Sequence, residues 1–205
     1  MFYLKKTPFI FNVLYPRCYW NITNNNNAVY LTFDDGPSKS VTQKTLDILK
    51  ENNILATFFL IGQKVVENRD IFQKIKDAGH SFGNHTHNHP NGWKTKNNEY
   101  FNNVEKCQKE VAAKLFRPPY GKISFSQARQ LITKYKIIMW DVVGGDFDPS
   151  QTSENIVNNI VNNTKSGSII VLHDSEKFGD KMLIALPKII KQLKDKGFNF
   201  LPINS

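Results

Sequence analysis

Apolar segments and amphipathic segments alternate along most of this chain. Segments that are apolar at nearly every position are typical of strands with both faces covered. The segments between them place apolar residues three or four positions apart, as amphipathic helices do. We predict strands at 28–33, 56–61, 80–84, 115–118, 136–142, 168–173 and 198–201. We predict helices at 41–52, 64–77, 100–115, 126–135, 153–164 and 181–195.

This alternation predicts an α/β fold of about seven parallel strands joined by helical crossovers. Two architectures fit the pattern: a doubly wound open sheet, or a small incomplete barrel. A full barrel of eight units takes about 250 residues, so this chain of 205 would form a compact barrel or lack a unit. An asparagine-rich connector at 21–29 leads us to divide the chain into an N-terminal arm with the connector, 1–27, and a main domain, 28–205.

The composition narrows the classes of partner. The net charge is +9, but most lysines alternate with apolar residues, which is typical of solvated helix faces. No nucleic-acid-binding motif accompanies the charge, so we expect no nucleic-acid partner. No stretch is long enough to span a membrane. The apolar run near the start contains Asn12 and stops at Pro16, so we expect no signal peptide and favour the cytoplasm, with envelope association as the alternative.

Polar side chains follow the predicted strands at the points where they end. The carboxyl ends of parallel strands share one rim of an α/β fold, where active sites are built. Residues far apart in the sequence should therefore converge there. The residues at these ends are Asp34, Asp35, His85, His87, His89, Arg117, Tyr120, Asp141, Asp146, His173 and Asp174.

The segment GNHTHNHP, residues 83–90, predicts a metal site. His85 and His89 are four positions apart, a spacing that metal-ligating histidines use. Two imidazoles and one carboxylate form a common zinc shell. A cation would also explain why Asp34 and Asp35 adjoin despite their repulsion: one binds the metal, and the other remains as a base. A surface histidine cluster without function is the alternative interpretation.

Five short motifs occur in order along the chain: TFDDGP (32–37), HTHNH (85–89), RPPYG (117–121), WDVVGGDF (140–147) and LHD (172–174). Together they resemble the five motifs of the polysaccharide deacetylase family, which includes chitin-oligomer, peptidoglycan and acetylxylan deacetylases. The resemblance spans residues 28–203. It implies a small, distorted, incomplete (β/α) barrel and a divalent metal, usually zinc, with cobalt or nickel as alternatives.

The resemblance also implies roles for individual residues. Asp34 resembles the catalytic base and Arg117 the arginine that orients it. His173 resembles the general acid, and Asp146 the aspartate that pairs with it. The metal ligands implied by the resemblance are Asp35, His85 and His89.

Four further residues are expected to contact substrate. Tyr120 resembles the residue whose backbone N–H stabilises the oxyanion. Phe147 and Leu172 resemble the apolar wall that receives the acetyl methyl group, although the family often has tryptophan at position 147. Trp93 could stack on a sugar ring. His87 and Asp141 receive no catalytic role, and for His87 we favour a structural role over metal ligation.

We therefore predict a metal-dependent hydrolase that removes N-acetyl groups from an amino-sugar oligomer or polymer of the chitin or peptidoglycan type. The alternatives are an O-acetyl carbohydrate esterase and a small-amide hydrolase of the same fold. A non-catalytic sugar-binding protein is the alternative from a different class.

Overall fold

The strands form one curled sheet. The computed structural model describes residues 5–23 and 26–204. Its strands are β1 (Cys18–Tyr19), β2 (Ala28–Asp34), β3 (Thr57–Leu60), β4 (Ser81–Asn84), β5 (Leu115–Phe116), β6 (Lys136–Ile138), β7 (Val142–Val143), β8 (Ile169–His173) and β9 (Asn199–Phe200). They lie in the order β1-β6-β5-β4-β3-β2-β8-β7, with β9 also paired to β2, and all these pairs are parallel.

The predicted strand at 136–142 is two strands, and this split explains the curl. Strands β6 and β7 are six positions apart in the sheet, which would separate them by roughly 29 Å if the sheet were flat. Only residues 139–141 connect them, and such a link spans about 14 Å at most. The sheet must therefore curl until its two ends approach. The fold is a half-barrel with surrounding helices, as the resemblance implied, and not an open doubly wound sheet.

Among the described residues there are eight α-helices. They are α1 (Ile10–Leu14), α2 (Val41–Glu51), α3 (Gly62–Glu67), α4 (Arg69–Asp77), α5 (Asn97–Val111), α6 (Phe125–Leu131), α7 (Ser153–Asn163) and α8 (Gly179–Asp195). Helices α2 to α8 correspond to the predicted helices, and α1 was not predicted. The predicted helix at 64–77 is broken at Asn68, whose φ of −135° is not helical. None of these helices has the length and apolarity needed to cross a bilayer.

The N-terminal arm contributes to the sheet. Strand β1 pairs with β6 at one end of the curled sheet. Lys6 pairs with Val142 of β7, at the other end of the sheet. Asp141 joins these parts, because its carboxylate accepts hydrogen bonds from Lys6 at 2.9 Å and from the Ile169 N–H at 2.9 Å. Asp141 therefore has a structural role. Asn24 and Asn25 of the predicted connector lie outside the described residues, and the division at residue 27 stays a prediction.

The core has layers on both sides of the sheet. Outward-facing strand residues such as Phe33 and Leu172 pack against α2, α7 and α8 in the larger cluster. A smaller cluster inside the curl contains Phe59, Ile138 and Ile169. Because apolar side chains pack on both faces of the sheet, its strands are held in place. The carboxyl ends of β2, β4, β5 and β8 therefore have fixed positions at one rim.

Candidate active site

The two adjacent aspartates point to different partners because the strand ends between them. Asp34 is the last residue of β2 and lies opposite His173 in the sheet. Asp35 has a φ of +73°, in the left-handed region. Lys64 holds this turn by donating to the Asp35 carbonyl at 2.7 Å. Both carboxylates still approach the His85 Nε2, at 4.0 Å from Asp34 and 3.5 Å from Asp35.

Arg117 compensates the charge of Asp34 inside the half-barrel. Its guanidinium is fully buried, and it donates to the Asp34 carboxylate at 2.7 Å and to the Thr32 hydroxyl at 2.7 Å. Two further bonds reach the carbonyls of Ile138 and Met139 at 3.1 and 2.9 Å. A planar donor with four acceptors has one orientation available, so it fixes the Asp34 carboxylate in turn.

Asp35, His85 and His89 form a cluster that fits a metal ion. One ligand atom from each lies within 4.8 Å of the others. The Asp35 Oδ1 atom is 3.5 Å from the His85 Nε2 and 3.1 Å from the His89 Nε2. This buried oxygen has no hydrogen-bond partner among the described residues. A buried carboxylate oxygen without a donor is costly, and a cation would satisfy it.

The protonation of His85 also suits metal binding. Its Nδ1 lies 2.8 Å from the Arg117 carbonyl, which can only accept, so Nδ1 carries the proton. The Nε2 is then the ring nitrogen that faces Asp35. Such a second hydrogen bond orients ligating imidazoles in many metal sites.

The charges at the cluster favour a deprotonated ligand set. Burial alone would raise the pKa of Asp35, but the imidazoles of His85 and His89 and the charge of His173 bring it well below its usual range. Burial lowers the pKa of His89, although Asp35 opposes this effect. A carboxylate beside a neutral imidazole is the form in which both residues bind metals.

His173 is held by Asp146 at two points. The Asp146 carboxylate accepts from the His173 backbone N–H at 2.6 Å and lies 3.0 Å from the ring Nδ1. Burial would lower the pKa of His173, but Asp146, with smaller contributions from Asp35 and Asp34, raises it to about 10. His173 is therefore a protonated donor at neutral pH.

Tyr120 has the backbone geometry of a positioned donor. Its φ of +60° is unusual for a residue with a side chain. Its ring lies against that of His89, with centroids 4.5 Å apart, and the side chain is 58% exposed. Within the part of the chain that the structure describes, the Tyr120 N–H has no acceptor.

The structure corrects the predicted acetyl wall at Leu172. Successive residues of a strand point to opposite faces, so Leu172 points away from His173. It packs in the outer cluster, close to Gly144. Val171, two positions before His173, shares the face of His173 instead. Phe147 does lie beside the His173 ring, with centroids 5.4 Å apart in an edge-to-face arrangement.

Two other predicted residues lie apart from the metal cluster. His87 is buried, and its Nδ1 is close to Gly62 on α3, so it does not join His85 and His89. Trp93 is 63% exposed and donates its indole N–H to the Ile123 carbonyl at 3.0 Å.

Asp174 supports the site, although we gave it no role from the sequence. It is fully buried, and its carboxylate accepts from the Thr42 hydroxyl at 2.6 Å. Gly36 lies so close that any side chain there would overlap this carboxylate. Asp174 therefore fixes the turn that carries Asp35. Its position in the LHD motif, next to His173, was the available signal.

Comparisons with known proteins agree with this geometry. The sequence profile of the family described as polysaccharide deacetylase matches residues 21–139. A peptidoglycan-N-acetylglucosamine deacetylase of Bacillus cereus is 38% identical, over 88% of this chain and 68% of its own. A chitooligosaccharide deacetylase of Azorhizobium caulinodans is 34% identical, over 89% and 95% of the two chains.

A solved structure matches the fold over nearly its whole length. It is a peptidoglycan N-acetylglucosamine deacetylase with a TM-score of 0.89 and 36% identity, covering 96% of this chain and 95% of that one. The profile covers more than half of the chain, and the two relatives exceed 30% identity over most of it. By sequence and by fold, this chain belongs to the polysaccharide deacetylase family.

Proposed function

We propose that this protein is a metal-dependent deacetylase that hydrolyses the N-acetyl amide of an amino-sugar oligomer or polymer. One observation carries the proposal: the cluster of Asp35, His85 and His89, which fits a cation, adjoins the Arg117-bound Asp34, and Asp34 lies opposite the Asp146-bound His173. Amide hydrolysis needs a base for water and an acid for the departing amine, and this arrangement offers both.

The metal would be held by Asp35, His85 and His89, with zinc as our first choice and cobalt or nickel as alternatives. A bound divalent ion supplies Lewis acidity and lowers the pKa of water that reaches it. Asp34, held by Arg117, takes a proton from the attacking water. His173, kept charged by Asp146, donates a proton to the amine nitrogen as the C–N bond breaks.

Three further groups would complete the site. The Tyr120 N–H, free of other acceptors, would donate to the carbonyl oxygen as negative charge develops on it. Phe147 and Val171 supply apolar surface beside His173 for the acetyl methyl group. Trp93, exposed beside Lys122, would stack on a neighbouring sugar ring.

The substrate class rests on the relatives. They are named as deacetylases of peptidoglycan N-acetylglucosamine and of chitooligosaccharides, and both substrates carry N-acetylated amino sugars. A relative in Pseudobutyrivibrio xylanivorans, 32% identical, is named a bifunctional xylanase/deacetylase. Acetylated xylan is therefore the substrate that tests for ester hydrolysis, whereas chitin oligomers and peptidoglycan test for amide hydrolysis.

The test is acetate release from chitin oligomers, peptidoglycan fragments and acetylated xylan. We expect activity on the first two substrates, loss with a chelator and recovery with zinc or cobalt. Asp34→Asn should abolish turnover, whereas Asp47→Asn, which removes a similar charge from the exposed face of α2, should not. Full activity in Asp34→Asn would refute the base, activity only on xylan would favour the esterase, and glycan binding without turnover would favour a binding protein.

A further inference from the structure

An open cleft lies beside the first turn of α6, outside the residues assigned above. Its volume is about 580 Å³, and it is lined by Phe125, Ser126, Arg129 and Gln130. Phe125 is 63% exposed, which is unusual for so large an apolar side chain. An exposed ring flanked by hydroxyl, guanidinium and amide groups suits a sugar, because the ring packs on the C–H face while the polar groups bond hydroxyls.

The aromatic side chains around this cleft are fixed before any ligand binds. The Tyr15 ring stacks on Phe125, with centroids 4.7 Å apart and planes 10° from parallel. The Tyr15 hydroxyl donates to the Ile123 carbonyl at 2.9 Å, and the Trp93 indole N–H donates to the same oxygen at 3.0 Å. One carbonyl thus anchors two rings. Rings held in this way lose little conformational freedom when a ligand packs on them.

A short segment of chain connects the cleft to the candidate active site. Tyr120 contacts His89 of the metal cluster, and the short segment from Tyr120 to Phe125 joins that contact to the cleft. Lys122 within this segment lies over the Trp93 ring, 5.5 Å from its centroid. Exposed rings therefore extend from the rim of the metal cluster to α6.

Hydrogen bonds fix α6 to the loop that follows His89. Gln127 donates to the Gly92 carbonyl at 2.9 Å, and Asn97 donates to the Ser126 hydroxyl at 3.0 Å. These bonds fix the position of the cleft relative to the loop that follows a predicted metal ligand. A glycan chain is rigid over a few sugar units, and such a ligand gains most from two binding sites at a fixed separation.

We propose that the Phe125 cleft is an accessory glycan-binding subsite. It would hold one sugar unit of a chain whose acetylated unit lies at the Asp35–His85–His89 cluster. The choice of an amino-sugar chain as occupant rests on the proposed function and on the short segment, Tyr120 to Phe125, that joins the cleft to that site. The subsite makes the protein selective for oligomers and polymers over disaccharides and over small amides.

The test compares kcat/KM for the N-acetylglucosamine hexamer and dimer. We expect Phe125→Ala to lower the hexamer-to-dimer ratio about tenfold, equivalent to on the order of 1.4 kcal/mol, mainly through a higher KM for the hexamer. Phe125→Tyr, which keeps the ring, should preserve the ratio. Ile184→Ala, which truncates a side chain 59% exposed on α8, is the matched control and should leave the ratio as in the wild type.

An unchanged ratio in Phe125→Ala would overturn the subsite, and so would a proportional loss on both substrates, which indicates a structural defect. Failure of the deacetylase proposal is recognised separately. If the wild type releases acetate from no oligomer, calorimetry with the hexamer still decides: weaker binding in Phe125→Ala supports the subsite. No binding of the hexamer to the wild type would refute it.

Discussion

Replacing Asp146 by asparagine tests the proposed general acid. Asparagine keeps the size of the side chain and one acceptor oxygen for the His173 backbone N–H, but it removes the charge. Asp146 is the main reason that the pKa of His173 rises from 6.5 to about 10. That difference corresponds to on the order of 5 kcal/mol in favour of the imidazolium.

The raised pKa makes a stability contribution whose pH dependence has a definite sign. In the metal-free protein it is present in full below pH 6.5, declines as the pH rises and is lost through pH 10. Asp35 and Asp34 supply part of it, so we expect Asp146→Asn to lower the free energy of unfolding by roughly 2–4 kcal/mol at pH 6. This difference in the free energy of unfolding between the wild type and the variant should narrow by pH 10.

Urea denaturation at pH 6, 8 and 10 measures this gap, with Asp47→Asn as the control for loss of an exposed carboxylate. In the metal-loaded enzyme, the alkaline limb of the pH profile of kcat/KM should move to lower pH in Asp146→Asn. A gap independent of pH together with an unmoved alkaline limb would show that His173 does not carry the proton.

Three other substitutions test the remaining parts of the site. Asp35→Asn should abolish the thermal stabilisation by zinc, which is about 2.7 kcal/mol when zinc is in hundredfold excess over its Kd. If scanning calorimetry still shows this stabilisation in the variant, Asp35 is not a metal ligand. Arg117→Met leaves the Asp34 carboxylate buried without its cation and should cost about 3–5 kcal/mol in urea denaturation; the double variant with Asp34→Asn should regain part, and no gain would contradict the pairing. Gly36→Ala forces a Cβ into the Asp174 carboxylate and should weaken zinc binding at least tenfold by titration calorimetry; unchanged affinity would argue against this support.

The convergence of the site could be predicted from the sequence because it follows from parallel strands. Four residues each follow or end a strand: Asp34, His85, Arg117 and His173. Parallel strands place their carboxyl ends at one rim, so this convergence could be predicted without any distance. The four-residue spacing of His85 and His89 added the metal. Hydrophobic patterning alone could not decide between a doubly wound open sheet and an incomplete barrel. The family resemblance favoured the barrel.

The wrong predictions concern single residues or a break within one predicted strand. Leu172 was assigned to the acetyl wall, yet a shift of one residue along a strand reverses the face, and counting back two positions from His173 would have named Val171. The apolar run at 136–142 concealed the passage from β6 to β7, because that stretch contains no glycine or proline to mark a break. The support given by Asp174 depends on a tertiary contact with Gly36.

Backbone conformation is the part of the site that local preference could not predict. Four non-glycine residues at the site have positive φ: Asp35 (+73°), Thr86 (+65°), His89 (+57°) and Tyr120 (+60°). Elsewhere, Ala112 at the end of α5 also does, as do Asn27 and Asn53, and asparagine tolerates this region. Aspartate and histidine also occur in it more often than other residues, whereas the β-branched Thr86 and the bulky Tyr120 are held there by surrounding structure at a cost of about 1–3 kcal/mol each. These turns bring Asp35 and the ring of Tyr120 against His89, so the surrounding tertiary structure, and not local preference, sets the backbone conformation on which the candidate site depends.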